Sequence, residues 1–488
     1  MKILVISLLR LGDILLHQEL ARSLKRQYPS CQLHFLINSQ FSSVAELVPE
    51  VDCWHHLNRK QLQRVLVERQ QSPLVAFDVL GNLVAQMNSL KFDMIFNATH
   101  NHFSVRLMDL LQAQDKRGMT LESGRKVRDQ NKWQTYLNEN FSAIQGSRFH
   151  YLEVLHHALG VPLASPQAAG LNRRGPIYLQ LLTSDLKKNW GLRRFHLLRR
   201  RLQMAFPQHS FLCLCSPAEA DQVGEIFAWN EFIAPNLSEA GELLAEASML
   251  VTGDTSLQHM AVAKACPVVS LFLGSADPFK TAPRQQGAWI LQGAAKCAPC
   301  SHASPCSQAS HLCAEALSVE MVFDFISGLL GTEAVALTSN GFYQVGELEG
   351  ATFLHSREKG QLIRQIEHCV WNAYLHESKV DAREFVGEDL AALEGVLADH
   401  QSFIEHIEQI ENLGRLGKDL QQNFLQIEED FPVWRDSLIR YKQNFNIKDE
   451  LQTLILIRAE LLEELRQMKG GSHVRKSQSN VQEHFATT

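Results

Sequence analysis

The sequence predicts an α/β fold with two Rossmann-like, doubly wound parallel sheets, followed by a mainly α-helical C-terminal region. Strand and helix patterns alternate through the first 330 residues, which is typical of parallel sheets covered by helices. A stretch rich in Pro, Ala and Gly, around residues 160–176, interrupts the alternation before it restarts. Each half also contains a polar elbow between a strand and a helix. The strand patterns lie at residues 1–8, 32–37, 92–97, 177–182, 249–252 and 268–272.

The first elbow follows the N-terminal strand. Residues 1–8 form a continuous apolar run, as expected of a strand that is buried on both faces. Arg10, Gly12 and Asp13 break this run, and a helix with leucines along one face follows. Asp13 therefore lies at a strand-to-helix corner, the place where such sheets collect ligands. Capping of the helix is the alternative role for this carboxylate.

The second elbow is Asp254-Thr255-Ser256-Leu257-Gln258-His259, between a strand and an Ala-rich helix that stops at Pro267. Free backbone N–H groups and the positive end of the helix dipole point at one spot there, which suits a phosphate. Asp254 can accept hydrogen bonds from sugar or ribose hydroxyls. Thr255, Ser256 and His259 can donate to phosphate oxygens. A plain helix cap is again the alternative.

Four motifs occur in the order found in one enzyme family. They are Leu11-Gly12-Asp13, Thr183-Ser184 with Lys188-Asn189-Trp190 after three spacers, Ser216-Pro217-Ala218-Glu219, and the elbow from Asp254 to His259. On these motifs the chain resembles glycosyltransferase family nine, the ADP-heptose:lipopolysaccharide heptosyltransferase group, over roughly residues 1–330. The resemblance implies the GT-B arrangement, in which two Rossmann-like lobes face each other across a cleft.

The resemblance also implies an activity. A heptosyltransferase moves heptose from ADP-heptose to a hydroxyl acceptor with inversion and without a catalytic metal ion. Asp13 would be the general base, Lys188 the phosphate cation, Glu219 a ribose or base contact and Asp254 a donor-sugar contact. The hydrogen-bond donors to the nucleotide sugar would be Thr183, Ser184, Thr255, Ser256 and His259. The acceptor stays open between a lipopolysaccharide core sugar, another surface glycan and a protein hydroxyl.

Three departures from the family pattern bear on the identity of the donor, and two of them, Ser256 and Ser7, support an alternative function. Ser256 replaces a glycine, where a positive φ would cost energy. Ser7 stands in place of the usual arginine, and Cys215-Ser216 in place of Gly-Gly. The alternative is a non-catalytic scaffold that binds sugar nucleotides and acts through its C-terminal helices. A dinucleotide-dependent oxidoreductase is disfavoured, because no G-x-G-x-x-G follows the first strand.

Net charge and the lengths of the apolar stretches indicate which cell compartment and which partners to expect. The formal net charge of −6 gives no general attraction to nucleic acid. No apolar stretch reaches the ~20 residues needed to span a bilayer, and the first strand is too short for a signal peptide. We expect a cytoplasmic protein, in the bacterial cytosol that the resemblance implies. Peripheral contact with the inner membrane stays open.

The predicted domains are an N-terminal acceptor lobe (1–165), a nucleotide-sugar lobe (176–331), a mainly helical accessory region (332–469) and a disordered tail (470–488). An Asn-Gly turn within residues 335–345 predicts a hairpin. Two apolar stripes in the accessory region predict helices that either pack on the same chain or mediate self-association. These stripes are Leu390, Leu393, Leu397, Ile404, Ile407 and Ile410, and Leu451, Leu454, Ile455, Leu461, Leu462 and Leu465.

Four of the ten cysteines are clustered, at Cys297, Cys300, Cys306 and Cys313. A chain without a signal peptide is not expected to form a disulfide framework. Thiolates at this density suit a structural Zn or Fe ion, and the resemblance implies a bound metal in protein-modifying relatives. A loop of reduced thiols is the equally weighted alternative. No cofactor is expected to take part in catalysis.

Overall fold

The computed structural model describes most of the first 378 residues. The described ranges are 1–66, 72–122, 126–128, 131–139, 148–170, 174–293, 295, 297–301, 304–331, 341–348, 351–356, 361–376, 378, 457 and 461. The chain divides into two compact units. The first comprises Met1–Gln145 and Phe149–Arg357, and the second comprises Gly146–Arg148 and Glu358–Thr488.

The first unit contains a five-stranded sheet in the order β3-β2-β1-β4-β5, with every neighbouring pair parallel. The strands are β1 (Lys2–Ser7), β2 (Gln32–Asn38), β3 (Cys53–Leu57), β4 (Phe92–Asn97) and β5 (Ala113–Gly118). The apolar run of β1 is buried from Ile3 to Ile6, because β2 and β4 flank it and helices cover both faces. The predicted central strand is therefore confirmed, and its carboxyl end places Ser7 at the edge where the first elbow begins.

Helices and one short ribbon complete this part of the unit. The helices are α1 (Leu11–Gln27), α2 (Arg59–Leu66), α3 (Pro73–Ser89), α4 (His102–Leu110), α5 (Lys132–Glu139) and α6 (Tyr151–Leu159). The ribbon pairs β6 (Thr120–Glu122) with β7 (Lys126–Arg128). Helix α1 buries Ile14, Leu15, Leu20 and Leu24 on one face, as its leucine spacing predicts. This packing fixes the position of Asp13 in the first turn of α1.

The second sheet has eight strands in the order β11-β10-β9-β12-β13-β15-β16-β17. The strands of this half are β8 (Gln167–Ala168), β9 (Ile177–Gln180), β10 (Phe211–Leu214), β11 (Phe232–Ile233), β12 (Met249–Gly253), β13 (Val268–Phe272), β14 (Gln285–Gln286), β15 (Trp289–Gln292), β16 (Phe342–Leu348) and β17 (Ala351–His355). The pairs from β11 to β15 are parallel, whereas β16 and β17 are antiparallel to their neighbours. Strands β8 and β14 form a separate pair.

The helices of this half are α7 (Leu192–Ala205), α8 (Ala220–Gly224), α9 (Leu237–Glu246), α10 (Ser256–Ala263), α11 (Pro278–Thr281), α12 (Leu312–Ala316) and α13 (Val319–Leu330). Short 3₁₀ helices lie at Ser39–Leu47, Leu186–Lys188 and Pro217–Glu219. Strand β12, the polar elbow, α10 and β13 follow one another as the sequence predicts. The second elbow therefore lies at the carboxyl end of a central strand.

The boundary predicted at residue 331 falls inside the second sheet. Strand β16 pairs with β15, and β17 pairs with β16, so both strands belong to the first unit. The first arm of the predicted hairpin, within residues 332–340, lies outside the described residues, whereas β16 begins after Gly341 and pairs with β17, the segment that follows it. The sequence prediction placed this hairpin in the accessory region because apolar residues around Asn-Gly carry no information about which strand they join.

The second unit is described over one helix, α14 (Gln361–His376). Its buried face includes His368, Val370 and Trp371, and His368 Nδ1 donates to the Arg148 carbonyl at 3.1 Å. Ile457 and Leu461 are helical, and Leu461 is fully buried. The other positions of the two predicted stripes, and the tail from residue 470, lie outside the described residues. No described helix combines the length and apolarity needed to cross a bilayer.

Candidate functional site

The loop after β1 holds Asp13 by a hydrogen bond to the backbone. The Asp13 carboxylate accepts the Arg10 N–H at 3.1 Å, as a residue in the first helical turn commonly does. Burial raises the pKa of Asp13 above its ordinary value, although the Arg10 amide and guanidinium oppose the rise. The Asp254 carboxylate also raises this pKa, and Lys188 lowers it. A carboxylate with a raised pKa is a stronger base, and it needs less driving force to accept a proton near neutral pH.

The second elbow forms the N-terminus of α10 without backbone strain. Thr255 is the N-cap with an extended backbone at φ −140°, and Ser256 is the first helical residue. Among the described residues, positive φ outside glycine occurs only at Lys91 and Ala265. The prediction that Ser256 adopts a positive φ, with the backbone strain that this would cause, is therefore wrong. The other expected effect of Ser256, a less close approach of the backbone to a phosphate, stays a prediction.

Lys188 and Asp254 form a largely buried ion pair. Lys188 Nζ lies 2.6 Å from Asp254 Oδ2, and the two side chains are 12% and 9% exposed. Their positions come from different strands of the second sheet: Asp254 follows β12, and Lys188 ends the 3₁₀ helix after β9. The pair places a cation and a carboxylate side by side at the carboxyl edge of this sheet.

The two elbows meet. A Cβ atom on Gly12 would lie 3.8 Å from His259 Cδ2 and 3.8 Å from the Ser256 Cα, so the first turn of α1 faces the first turn of α10. Asp254 raises the pKa of Asp13 and Lys188 lowers it, so the three charged groups lie near one another. Two helix N-termini, one ammonium group and two carboxylates thus surround one spot.

His259 is neutral in this site. Burial, helped by Lys188 and opposed by Asp254, lowers its pKa to about 4. Its ring is buried in the second turn of α10. At neutral pH His259 therefore contributes a hydrogen-bond donor and no charge, which leaves the positive charge near Asp13 to Lys188 and the Arg10 guanidinium.

The other residues predicted to bind the donor lie at different distances from the Lys188–Asp254 pair. Thr183 approaches Gly253, whose Cβ would lie 3.0 Å from the Thr183 methyl group, so it lies beside the elbow. Ser184 is exposed, and no hydrogen bond ties it to another described residue. Glu219 lies at the carboxyl end of β10, where it accepts the Ser216 N–H at 2.8 Å. No contact among the described residues joins Glu219 to the Lys188 pair.

Gln180 is a site residue that the sequence reasoning missed. Its Oε1 accepts hydrogen bonds from Thr252 Oγ1 at 2.5 Å and from Thr255 Oγ1 at 3.1 Å. The Thr255 hydroxyl is thereby used inside the protein, which leaves the backbone N–H groups and Ser256 as the free donors of the first turn at this elbow. A glutamine that ends a buried strand was the available signal, since buried polar side chains need partners.

A second missed group lies behind Asp13. Both ring nitrogens of His17 are hydrogen-bonded. Nδ1 lies 2.8 Å from Ser7 Oγ, and Nε2 lies 2.9 Å from the Tyr151 hydroxyl oxygen. His100 Nε2 lies 3.3 Å from the same hydroxyl. Burial raises the pKa of Tyr151 well above its ordinary value, and Asp13 adds to this rise. Ser7, where the family has arginine, thus anchors a buried chain of neutral groups next to the predicted base.

The cysteine loop, residues 297–313, contains the four clustered thiols. Cys313 is buried, Cys297 and Cys300 are half-buried, and Cys306 is exposed, and none of the ten cysteines takes part in a disulfide. Burial raises the pKa of Cys300, and the other three thiols raise it further, which places them in one neighbourhood. Among the described residues, however, no group of three or more His, Cys, Asp or Glu side chains is arranged as metal ligands.

This geometry suits the transfer of a group to an acceptor hydroxyl with a phosphate as the leaving group. A carboxylate with a raised pKa faces an ammonium group and the N-terminus of a helix. The carboxylate can accept a proton, and the cation and N–H groups can stabilise the negative charge that develops on a departing phosphate.

Comparison with known proteins agrees with this chemistry. Residues 81–310 match Glycosyltransferase family 9 (heptosyltransferase), a range that includes Lys188, Asp254 and His259. A family 9 glycosyl transferase from Veillonella parvula is 17% identical, with 67% of this chain and 97% of that chain aligned at a TM-score of 0.51. This likeness concerns the fold. None of the curated proteins matches.

Two E. coli structures align over a similar share of the chain. ADP-heptose lps heptosyltransferase II is 16% identical over 68% of this chain and 98% of its own, with a TM-score of 0.48. Heptosyltransferase WaaC is 14% identical over 67% and 100%, with a TM-score of 0.47. The match to residues 81–310, a range that contains three of the four motifs, supports a glycosyltransferase similar to those of family 9.

Proposed function

We propose that the chain transfers heptose from ADP-heptose to a hydroxyl acceptor, in the synthesis of the lipopolysaccharide core or another surface glycan. The observation that supports this most directly is the meeting of Asp13 with the Lys188–Asp254 pair at the N-terminus of α10. In this proposal the two sheets form the lobes of a GT-B enzyme, and the donor diphosphate binds at the second elbow. The heptose and the adenine follow from the family that residues 81–310 match.

The proposed reaction is a single displacement with inversion. Asp13 accepts the proton of the acceptor hydroxyl as its oxygen bonds to the anomeric carbon. The bond from that carbon to the β-phosphate oxygen breaks, and its electron pair leaves with ADP. Lys188, the α10 N–H groups, Ser256 and His259 stabilise the added charge, so the chain itself supplies the groups that a metal ion would otherwise provide. Asp254 holds the Lys188 ammonium in place and contacts a donor hydroxyl, while Glu219, Thr183 and Ser184 bind the remainder of the donor.

The donor can be identified by ligand stabilisation. A panel of nucleotide sugars, each added to the full chain in a thermal unfolding assay, should single out ADP-heptose. At 100 times its dissociation constant the cognate donor should stabilise the folded chain by about 2.7 kcal/mol. Stabilisation by a UDP- or GDP-sugar but not by ADP-heptose would contradict the proposed donor while leaving the transferase assignment intact.

Phosphate recognition gives a second test. We expect Lys188→Ala and His259→Ala each to weaken ADP binding by about tenfold or more and adenosine binding little, because both side chains are assigned to the diphosphate. Titration calorimetry with the two ligands measures the difference. If either substitution weakens ADP and adenosine equally, that residue maintains the fold of the elbow instead of binding phosphate.

We keep a structural metal ion at the cysteine loop as a proposal. A set of four clustered cysteines, once deprotonated, offers the thiolate ligands that Zn and Fe prefer. Elemental analysis of protein purified without added metal should find about one Zn or Fe per chain, and Cys300→Ser should lower both the metal content and the melting temperature. A metal-free protein whose melting is unchanged by Cys300→Ser would identify the cluster as a loop of reduced thiols.

The remaining parts of the proposal concern location and assembly. We place the enzyme in the cytoplasm, where nucleotide sugars are made, with peripheral contact with the inner membrane when the acceptor is lipid-linked. For residues 358–488, which form the greater part of the second unit, we propose self-association through the C-terminal helices.

A further inference from the structure

The turn that carries Lys188 is attached to the cysteine loop through the neighbouring lysine. Lys187 Nζ donates to the carbonyl oxygens of Ser301 at 2.7 Å and Ser304 at 2.6 Å. His311 Nε2 donates to the Lys187 carbonyl at 2.8 Å; because a carbonyl only accepts, this nitrogen bears the proton. Three residues of the loop thus contact Lys187: Ser301 and Ser304 bind its ammonium group, and His311 binds its carbonyl oxygen.

A tight backbone turn strengthens this link. Gly274 has φ +59°, and a Cβ atom there would lie only 2.1 Å from the Lys187 carbonyl oxygen, so no side chain fits between the two segments. The Cys300 N–H donates to the Gly274 carbonyl at 2.8 Å. The loop, the Gly274 turn and the Lys187 backbone are therefore in direct contact, one against the next.

Asp185 anchors the other end of the same turn. Its carboxylate accepts the Lys187 N–H at 3.0 Å and the Ser275 hydroxyl at 2.7 Å. Burial acts to raise the pKa of Asp185, but these hydrogen bonds and the two lysines outweigh it and hold the pKa below its ordinary value. The carboxylate therefore stays ionised, and the backbone of the turn is fixed on both sides of Lys187.

Lys187 and Lys188 are adjacent residues whose ammonium groups bind different partners. Lys188 bonds Asp254 at the second elbow, and Lys187 bonds the cysteine loop. A shift of the turn would move Lys188 Nζ away from the phosphate that it is proposed to bind. We propose that Lys187 is a positioning residue, through which the cysteine loop sets the affinity of the enzyme for the donor diphosphate; this rests on the proposed role of Lys188.

The test uses the full chain, with ADP and adenosine as probes in titration calorimetry. Lys187→Met removes the donors to Ser301 and Ser304, and we expect it to weaken ADP binding by about tenfold while adenosine binding stays within about twofold of the original chain. Lys187→Arg retains a charged donor and should recover most of the lost affinity. Lys116→Met is the matched control, because the Lys116 ammonium also donates to two backbone carbonyls, of Met108 and Asp109, beside the first sheet.

His311→Ala gives an independent variant that leaves the Lys187 ammonium in place. It should weaken ADP binding in the same direction. In the double variant with Lys187→Met, the loss should be smaller than the sum of the two single losses, because both contacts hold one turn to one loop. ADP binding by Lys187→Met and His311→Ala that equals the original chain would overturn the proposal, as would equal losses for ADP and adenosine or an equal loss in Lys116→Met.

The outcome for Lys188→Ala separates this inference from the function it rests on. If Lys188→Ala weakens ADP binding and Lys187→Met does not, the cysteine loop has no influence on the site and only the present inference fails. If Lys188→Ala binds ADP as tightly as the original chain, the proposed phosphate site itself is wrong.

Discussion

Asp13→Asn is expected to reduce turnover by about 10²-fold or more while ADP binding stays nearly unchanged. The substitution removes the only group that we assign to the acceptor proton, and it leaves Lys188 and the α10 N–H groups in place for the donor. Single-turnover rates with ADP-heptose, measured beside calorimetric titration with ADP, separate the two effects. Turnover close to that of the original chain would exclude Asp13 as the base.

The pH dependence adds a signature that a structural defect would not produce. Asp13 must be ionised to accept a proton, so activity should fall as the pH decreases through its pKa, which burial raises above the ordinary carboxylate value. The residual activity of Asp13→Asn should lack this acidic limb. An acidic limb that persists unchanged in the variant would assign the titrating group to another residue.

Stability provides the control for this substitution. Asparagine can still accept the Arg10 N–H, so the helix cap is kept. Because the pKa of Asp13 is higher in the folded chain than in the unfolded chain, its ionisation lowers the free energy of unfolding as the pH rises through that interval. Asparagine removes this cost, and the melting temperature at neutral pH should therefore not decrease.

Local pattern predicted the central strands and both elbows because their physical causes are local. A strand between two others in a parallel sheet is apolar on both faces, so β4 and β13 begin and end at the predicted residues. Polar residues directly after such strands lie at the carboxyl edge of the sheet. The sequence therefore placed Asp13 and Asp254 at the carboxyl edges of their sheets.

The supporting residues could not be predicted in this way, because their partners lie far away along the chain. Gln180 bonds Thr252 and Thr255, more than 70 residues later, and Lys187 bonds Ser301 and Ser304, more than 110 residues later. Nothing in the local spacing of a glutamine or a lysine specifies such partners. The strain expected at Ser256 was wrong for a related reason, since the φ of that residue depends on how α10 begins.

The strands after residue 341 also join a sheet that local pattern did not assign them to. Their position in that sheet predicts a large effect of deletion on stability. Deleting residues 332–488 should destabilise the remaining chain severely, whereas deleting residues 358–488 should leave the first unit folded. The shorter chain loses β16 and β17, which are the last two strands of the second sheet. The longer chain keeps both, and it ends where the first unit ends.

The size of the effect follows from what the two strands bury. Their buried apolar side chains are Phe342, Tyr343, Val345, Leu348, Phe353 and Leu354. At about 1.5–3 kcal/mol for each large side chain, their loss amounts to roughly 10 kcal/mol, as large as the total stability of a typical domain. The deletion also leaves β15 as an unpaired edge, which favours aggregation.

A buried ion pair would be damaged in the same deletion. The Thr352 N–H donates to Glu153 Oε1, and Arg284 lies 3.8 Å from that oxygen, with both charged side chains almost fully buried. Removing one donor from a buried carboxylate costs its desolvation energy without a replacement partner. Thermal unfolding, light scattering and ADP titration on the chains 1–331 and 1–357 should therefore show early melting and aggregates for the first. The second should be soluble and bind ADP. If 1–331 melts and binds ADP as the full chain does, the strands after residue 341 contribute nothing to the catalytic unit, and the boundary belongs at residue 331 after all.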